Sequence, residues 1–125
     1  MSEKSNWWET EMLNLMFLTY DPVYVALFTT NPDEDASGTE ATGGSYARES
    51  VAASVFVVLT GSAANNTNIE FTEATGNWGT LSHAAIFTSA SGGDMLYYSP
   101  LGTSVGINTG QIFRINSGSL IISED

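Results

Sequence analysis

The segment Val23 to Val51 reads VYVALFTTNPDEDASGTEATGGSYARESV and contains the clearest structural pattern of the chain. Its first six residues alternate between two apolar sets, which predicts a β-strand with both faces partly buried. Thr29 to Ser45 follows as a long stretch rich in Gly, Asp, Glu, Thr and Ser, which predicts a loop. Loops of this length without secondary structure are usually functional or mobile. Tyr46 to Leu59 then predicts one long strand, or two strands with a bend near Ala52-Ala53.

Upstream of this segment, the sequence predicts one short helix. Ser5 and Asn6 are candidate N-caps, and Asp21-Pro22 ends the helical pattern. The apolar residues at helical spacing are Trp8, Met12, Leu15 and Met16, widened by Leu13 and Phe17. A single helix this short is marginally stable in water, so it must pack on another element. We favour packing on the protein's own sheet over packing on a neighbouring subunit.

Downstream, short apolar stretches alternate with turn residues. The predicted strands are Ile69 to Phe71, Leu81 to Ser89, Met95 to Ser99, Gln111 to Ile115 and Ser119 to Ser123. Ser91 to Asp94 predicts a hairpin turn, and Asn116 to Gly118 predicts a final one. Pro100 ends its strand or confines it to a sheet edge. Gly61 to Asn68 reads as a polar turn region, and Leu101 to Asn108 as weakly extended.

These elements predict an all-β fold, a single-domain β-sandwich or jelly-roll-like structure with a short N-terminal α-helix. The predicted domain covers residues 1–125, with a helical segment at 1–20 and the β-sandwich at 21–125. A length of 125 residues fits one domain, and 42% hydrophobic residues provide enough apolar side chains for one core.

The charge balance excludes several classes of partner. The chain has 14 acidic residues but only Lys4, Arg48 and Arg114 as bases, which gives a net charge of −11. Such an acidic protein repels phosphate, so we expect neither nucleic-acid binding nor binding to anionic membranes. No cysteine is present, which excludes disulfides, thiol catalysis and cysteine zinc sites. The first residues lack the pattern of a signal peptide, which predicts synthesis in the cytoplasm.

The acidic loop contains the one weak candidate for a metal site. Asp33, Asp35, Ser37 and Gly38 match the opening of a calcium-binding loop, but the twelfth position is Gly44 instead of Glu. Asp33, Asp35 and Glu40 therefore remain weak Ca²⁺ candidates. A solvated loop tip is the favoured interpretation, and the sequence predicts no cofactor.

Catalytic patterns are equally weak. His83 is the single histidine, and its neighbour Ser82 should point to the opposite face of a strand, so that the two side chains cannot pair. No G-x-S-x-G elbow is present. Glu70 and Glu73 lie three residues apart, but nothing indicates a cleft of the kind that glycoside hydrolysis requires. The sequence therefore predicts a protein that is not an enzyme.

Aromatic residues and the two strand arginines are the candidate interface residues. Arg48 and Arg114 each predict a structural ion pair or a bond to a backbone carbonyl, with a bridge between subunits as the sharper alternative. The aromatic side chains could instead line a sugar-binding groove or fill the core. The candidate interface residues are Trp7, Trp8, Met12, Leu15, Met16, Arg48, Trp78, Tyr97, Tyr98 and Arg114.

Several short blocks, in this order, make the chain resemble a family of small bacteriophage virion proteins. They are Leu13-Asn14-Leu15, Tyr24 to Thr29, Gly38-Thr39-Glu40, Gly43 to Arg48, Trp78-Gly79-Thr80 with His83 and Ile86-Phe87, Gly92 to Leu96, and Leu120 to Ser123. Members are usually labelled phage tail fibre protein, and some resemble capsid decoration (cement) proteins. The short linker Leu18 to Val23 and the very apolar stretch Val55 to Leu59 depart from the pattern.

The resemblance implies a non-enzymatic structural protein of the virion. It favours a capsid decoration or cement protein, expected to be a homotrimer that binds the major capsid protein and neighbouring copies. The chain shows no repetitive shaft, which is the reason for this preference. The alternatives are a tail fibre or spike component and a module that binds host surface glycans.

Overall fold

The computed structural model describes residues 5–123, which leaves Lys4 outside. The described part contains one α-helix, one short 3-10 turn and nine strands, so the predicted all-β fold with an N-terminal helix is confirmed. The elements are α1 (Asn6–Thr19), β1 (Val23–Phe28), β2 (Glu49–Val51), the 3-10 turn (Ala53–Val55), β3 (Phe56–Leu59), β4 (Ser62–Asn65), β5 (Ile69–Glu70), β6 (Gly79–Phe87), β7 (Met95–Ile107), β8 (Arg114–Ile115) and β9 (Ile121–Ser123).

The strands form three sheets, with the orders β2-β1-β6-β7, β3-β4-β9 and β5-β8. These sheet orders do not show a jelly-roll topology. The chain divides into two compact units. The helix unit consists of Met1–Val23, Val51–Ile69 and Ile115–Asp125, and the loop unit consists of Tyr24–Ser50 and Glu70–Arg114. Whether they act as the predicted single domain stays a prediction.

The helix unit packs α1 against one face of the three-stranded sheet. The Phe17 and Phe56 rings stack with centroids 4.8 Å apart. At the helix start, the Trp8 amide donates to the Ser5 hydroxyl, which confirms Ser5 as the N-cap. Thr10 ties the helix to the β3–β4 turn, because its hydroxyl accepts a hydrogen bond from the Gly61 amide at 2.9 Å.

Two sequence predictions fail in the helix unit. The expected polar turn region contains β4, the middle strand of the sheet, and its Asn65 is 2% exposed. Ser-Ala-Ala-Asn lacks the β-branched and aromatic residues that identify strands. The expected final hairpin is also absent, because β8 pairs with β5 and β9 pairs with β4. Asn65 holds the segment between β8 and β9 in place, since its side-chain oxygen accepts from the Leu120 amide and its side-chain nitrogen donates to the Asn116 carbonyl.

The loop unit is built on the antiparallel strands β1, β6 and β7. β1 lies inside the sheet, between β2 and β6, as its apolar alternation predicts. The predicted hairpin between β6 and β7 is confirmed. The alternative of two strands with a bend near Ala52-Ala53 is also confirmed, since the 3-10 turn separates β2 from β3.

β7 decides between the two predictions for Pro100 in favour of a sheet edge, and it is longer than the predicted strand Met95 to Ser99. The strand continues through Pro100 to Ile107, and it is an edge strand, where a residue without an amide hydrogen is tolerated. Leu81 pairs with Val105 and His83 pairs with Pro100, so four residues of β7 lie opposite Ser82 alone. This large bulge interrupts the edge of the sheet.

Within residues 5–123, no helix has the length and apolar character needed to cross a membrane.

Candidate assembly surface

The inner face of α1 is an ordinary core face. Leu13, Met16 and Phe17 are buried, and their spacing of three and four residues places them on one side of the helix. The buried face of α1 is therefore not the one that the sequence predicted: Trp8 and Leu15, which were assigned to it, lie on the opposite side and are exposed. Met12 is half-buried between the two sides.

The outer face of α1 is also apolar. Trp7 is 69% exposed and Leu18 is 80% exposed, and Trp8 and Leu15 lie beside them. Leu15 follows Trp8 by seven residues and Trp7 by eight, and Leu18 follows Leu15 by three and Trp7 by eleven, which places all four side chains on one side of the helix. A solvent-facing helix normally carries charged or polar residues on this side. An exposed apolar face of this kind is a candidate interaction site.

The three-stranded sheet has a second exposed apolar surface. Val57 pairs with Ala64, and Ala64 pairs with Ile121, so these three side chains form a row across the sheet on one face. Leu59 lies two residues from Val57 on the same face and is 68% exposed. Because Phe56 lies on the opposite face, under α1, this row faces away from the helix.

The charged side chains in the described part of the helix unit are all acidic. Within its described residues the charged side chains are Glu9, Glu11 and Asp21, and no Lys, Arg or His is present. Glu11 lies on the outer side of α1, four residues from Trp7 and four from Leu15, and it is half-buried.

Arg48 holds the acidic loop of the loop unit in place. Its Nε and Nη2 donate to the two carboxylate oxygens of Glu40, both at 2.9 Å. Its Nη1 donates to the carbonyls of Ser89 and Gly92 in the β6–β7 hairpin, and its guanidinium carbon lies 3.9 Å from the centroid of the Phe87 ring. Arg48 therefore forms both the ion pair and the carbonyl bonds that the sequence predicted, all of them within one chain.

Tyr46 completes this cluster. Its hydroxyl donates to Glu40 at 2.7 Å and accepts from the Leu27 amide. Burial acts to raise the pKa of Glu40, but hydrogen bonds from Arg48 and Tyr46 and the charge of Arg48 outweigh burial and lower this pKa. Burial raises the pKa of Tyr46, and the nearby Glu40 carboxylate adds to the effect although the Leu27 amide opposes it. Glu40 thus stays ionised as the acceptor of the cluster.

The metal candidates do not converge. Among the described residues, no three His, Cys, Asp or Glu side chains are grouped as a cation would require. Glu40 is occupied by Arg48 and Tyr46, and Asp33 and Asp35 are exposed. The side chain and amide of Ser37 hydrogen-bond to Asp35 and lower the pKa of its carboxyl group. These contacts are typical of a self-satisfied polar loop tip.

Ser82 and His83 correct a prediction. Their side chains meet, with Ser82 Oγ 2.8 Å from His83 Nδ1, at the point where the register between β6 and β7 shifts. The Ser82 hydroxyl also lies 3.5 Å from the Phe28 carbonyl. Among residues 5–123, no Asp or Glu is hydrogen-bonded to the imidazole, and no group of three possible metal ligands includes it. A nucleophile needs a base that a third group orients, so the pair alone does not form a catalytic site.

The remaining interface candidates occupy different positions. Trp78 is 2% exposed, packs against Tyr46 and Phe71, and donates to the Gly44 carbonyl, so it belongs to the core of the loop unit. Met16 is likewise buried in its own unit. Tyr97 and Tyr98 are half-buried on β7, and Arg114 forms an exposed ion pair with Glu70 at 3.1 Å. For the exposed candidates, a role at an interface stays a prediction.

The interface candidates missed four residues on the exposed apolar surfaces of α1 and the three-stranded sheet: Leu18, Val57, Leu59 and Ile121. Leu18 was detectable, because it follows Trp7 by eleven residues, which is three helical turns. Val57 and Leu59 belong to the stretch that was noted as unusually apolar. Ile121 had no comparable signal, because its face depends on its register with β4.

Comparison with known proteins places these observations in a biological context. A family model described as Podophage GP4 fiber I protein gp80 matches residues 3–123. The chain belongs to this family. The match spans nearly the whole sequence and confirms the resemblance to phage tail-fibre-type proteins. No curated protein matches the chain. A podophage fibre family is a family of virion structural proteins, so the chain has a structural role in a bacteriophage.

Proposed function

We propose that this protein is a non-enzymatic fibre component of a podophage virion and that it attaches through the helix unit. The observation that carries the proposal is the helix with two apolar faces, one buried on its own sheet and one exposed. A helix with apolar side chains on two opposite sides is normally covered on both. In a virion structural protein, the missing cover is supplied by another virion component.

The second apolar surface supports self-association. The row formed by Val57, Ala64 and Ile121, with Leu59 beside it, contains no charged residue, so another copy of this acidic chain can approach it without bringing carboxylates together. Closed symmetric assemblies are the usual form of homo-oligomers, and a homotrimer is the form we propose.

Capsid decoration is the second candidate. The observation in its favour is that the 125-residue sequence contains no repeat of the kind that builds an elongated shaft. In that case the partner would be the major capsid protein. The family description refers to a fibre, and we therefore place decoration second. Binding of host glycans through exposed aromatic residues is a third possibility, and it would add to a fibre role without replacing it.

Localisation on the particle tests the proposal. Purified virions would be analysed by quantitative mass spectrometry for this chain and by electron microscopy with a gold-labelled antibody against it. We expect the protein in virions and gold on the tail fibres. Gold distributed over the head would favour decoration, and absence of the protein from washed virions would contradict a virion role.

A further inference from the structure

We propose that the outer face of α1 docks into an apolar groove bordered by Lys or Arg side chains on a different protein of the same virion. This inference rests on the proposed function and adds the chemistry of the partner. The outer face of α1 means Trp7, Trp8, Glu11, Leu15 and Leu18.

The apolar side chains of this face have the arrangement of a helix that binds in a groove. Helices of this kind present anchors at intervals of three, four or seven residues, and here Trp8 and Leu15 are seven apart and Leu15 and Leu18 three apart. The two tryptophans extend the face at its N-terminal end, where their ring centroids lie 6.2 Å apart. Tryptophan is the residue type most enriched among the anchors of protein interfaces.

The charge of the face selects the partner. Glu11 lies within the apolar side chains, one turn from Trp7, Trp8 and Leu15. No basic residue is present among the described residues of the helix unit, so none of these residues supplies a counter-ion to Glu11. Burying a carboxylate without a partner is unfavourable, and a bound protein must therefore supply the positive charge. A basic border around the groove meets this requirement.

The same residue argues against a second copy at this surface. Glu11 lies near the middle of the fourteen-residue helix. If two outer faces met, the two Glu11 carboxylates would be close together in both a parallel and an antiparallel arrangement. Like charges facing each other across an interface oppose association, and a net charge of −11 on each copy adds to the repulsion.

The experiment uses phages that carry single substitutions in this chain, with copies per purified virion counted by mass spectrometry. Leu18→Ser removes an apolar anchor, and Glu11→Lys reverses the charge. The matched controls lie in the loop unit, where Ile112→Ser changes a residue that is 52% exposed and Glu34→Lys makes the same charge change on the loop tip. Thermal unfolding of the purified variants establishes that each is folded.

We expect Leu18→Ser and Glu11→Lys each to lower the number of copies per virion by about tenfold, the range found when interface anchors or facing charges are changed. Both controls should stay within about twofold of the wild type. Washing wild-type virions with increasing NaCl should release the protein progressively, because salt screens the pairs with Glu11.

Other outcomes would overturn the inference. Normal incorporation of Leu18→Ser would exclude the outer face as the docking surface, and normal incorporation of Glu11→Lys would exclude the basic border. A stable oligomer of the free protein that Leu18→Ser converts to monomers, measured by light scattering, would assign the surface to a second copy. Absence of the wild-type protein from virions is a separate result, because it would contradict the proposed function itself.

Discussion

The helix unit and the loop unit differ in how their apolar side chains are covered. In the loop unit, a polar cluster ties the acidic loop to the β6–β7 hairpin, and Arg48 covers the Phe87 ring. In the helix unit, α1 covers one face of a sheet, while the outer sides of both helix and sheet stay apolar and exposed. The loop unit thus fixes its acidic loop by contacts within one chain, and the helix unit leaves the outer sides of its helix and its sheet exposed.

The largest expected effect separates the two sides of α1. Leu13→Ala should lower the free energy of unfolding by about 3 kcal/mol, because Leu13 is 0% exposed and its removal leaves a cavity. Leu18→Ala should change it by less than about 0.5 kcal/mol, as expected for an exposed position. Urea unfolding of both variants measures the difference. Equal losses would mean that the outer face is part of the fold and is not reserved for a partner.

The second prediction concerns the contacts of Arg48 that hold the acidic loop of the loop unit. Arg48→Met should lower the free energy of unfolding by about 3 kcal/mol, because it leaves the partly buried Glu40 carboxylate without its positively charged partner and two carbonyls without their donor. Arg114→Met is the matched control and should change it by less than about 1 kcal/mol, since its ion pair with Glu70 is exposed. Similar values for the two arginines in urea unfolding would contradict the structural importance of the cluster.

A third prediction follows from the titration of Glu40. Its pKa is lower in the folded protein, so its contribution to stability is complete above the ordinary value near 4.5 and is lost as the pH falls below that value. Glu49 has the opposite effect on the pH dependence of stability, because burial raises its pKa.

The test of this titration compares the wild type with Glu40→Gln, which leaves Glu49 unchanged in both proteins. Thermal unfolding would be followed from pH 7 to pH 3. The stability difference between the two proteins should shrink as the pH decreases. A constant difference over this range would show that the charge of Glu40 does not stabilise the loop.

The smallest predicted effect concerns the start of α1. Ser5→Ala removes the hydroxyl that accepts from the Trp8 amide and should lower the free energy of unfolding by about 1 kcal/mol. Ser5→Asp retains a capping acceptor and is the control that should keep most of the stability. If Ser5→Ala also reduced incorporation into virions, the orientation of Trp7 and Trp8 would be coupled to the cap.

The residues of the candidate surface illustrate how far the sequence could be interpreted. Trp7, Trp8 and Leu15 were identified from their type and spacing, and the structure places them together on the outer face. The inner and outer sides were not separated, because α1 has apolar side chains on both and its periodicity does not identify the covered side. The bulge that joins Ser82 to His83 was invisible for a related reason: it arises from the register between β6 and β7.

The sequence by itself determined the local elements that have strong periodic or capping patterns: α1 with its Ser5 cap, the strand β1, the β6–β7 hairpin and the long loop between β1 and β2. It also determined the acidic charge and, through the family match, the phage structural role. The tertiary structure decided the rest. The strand β4, the pairing of β9 and the partners of Arg48 depend on contacts between residues far apart in the chain, which local patterns do not encode. Which side of α1 stays exposed is likewise decided when the helix packs on the sheet.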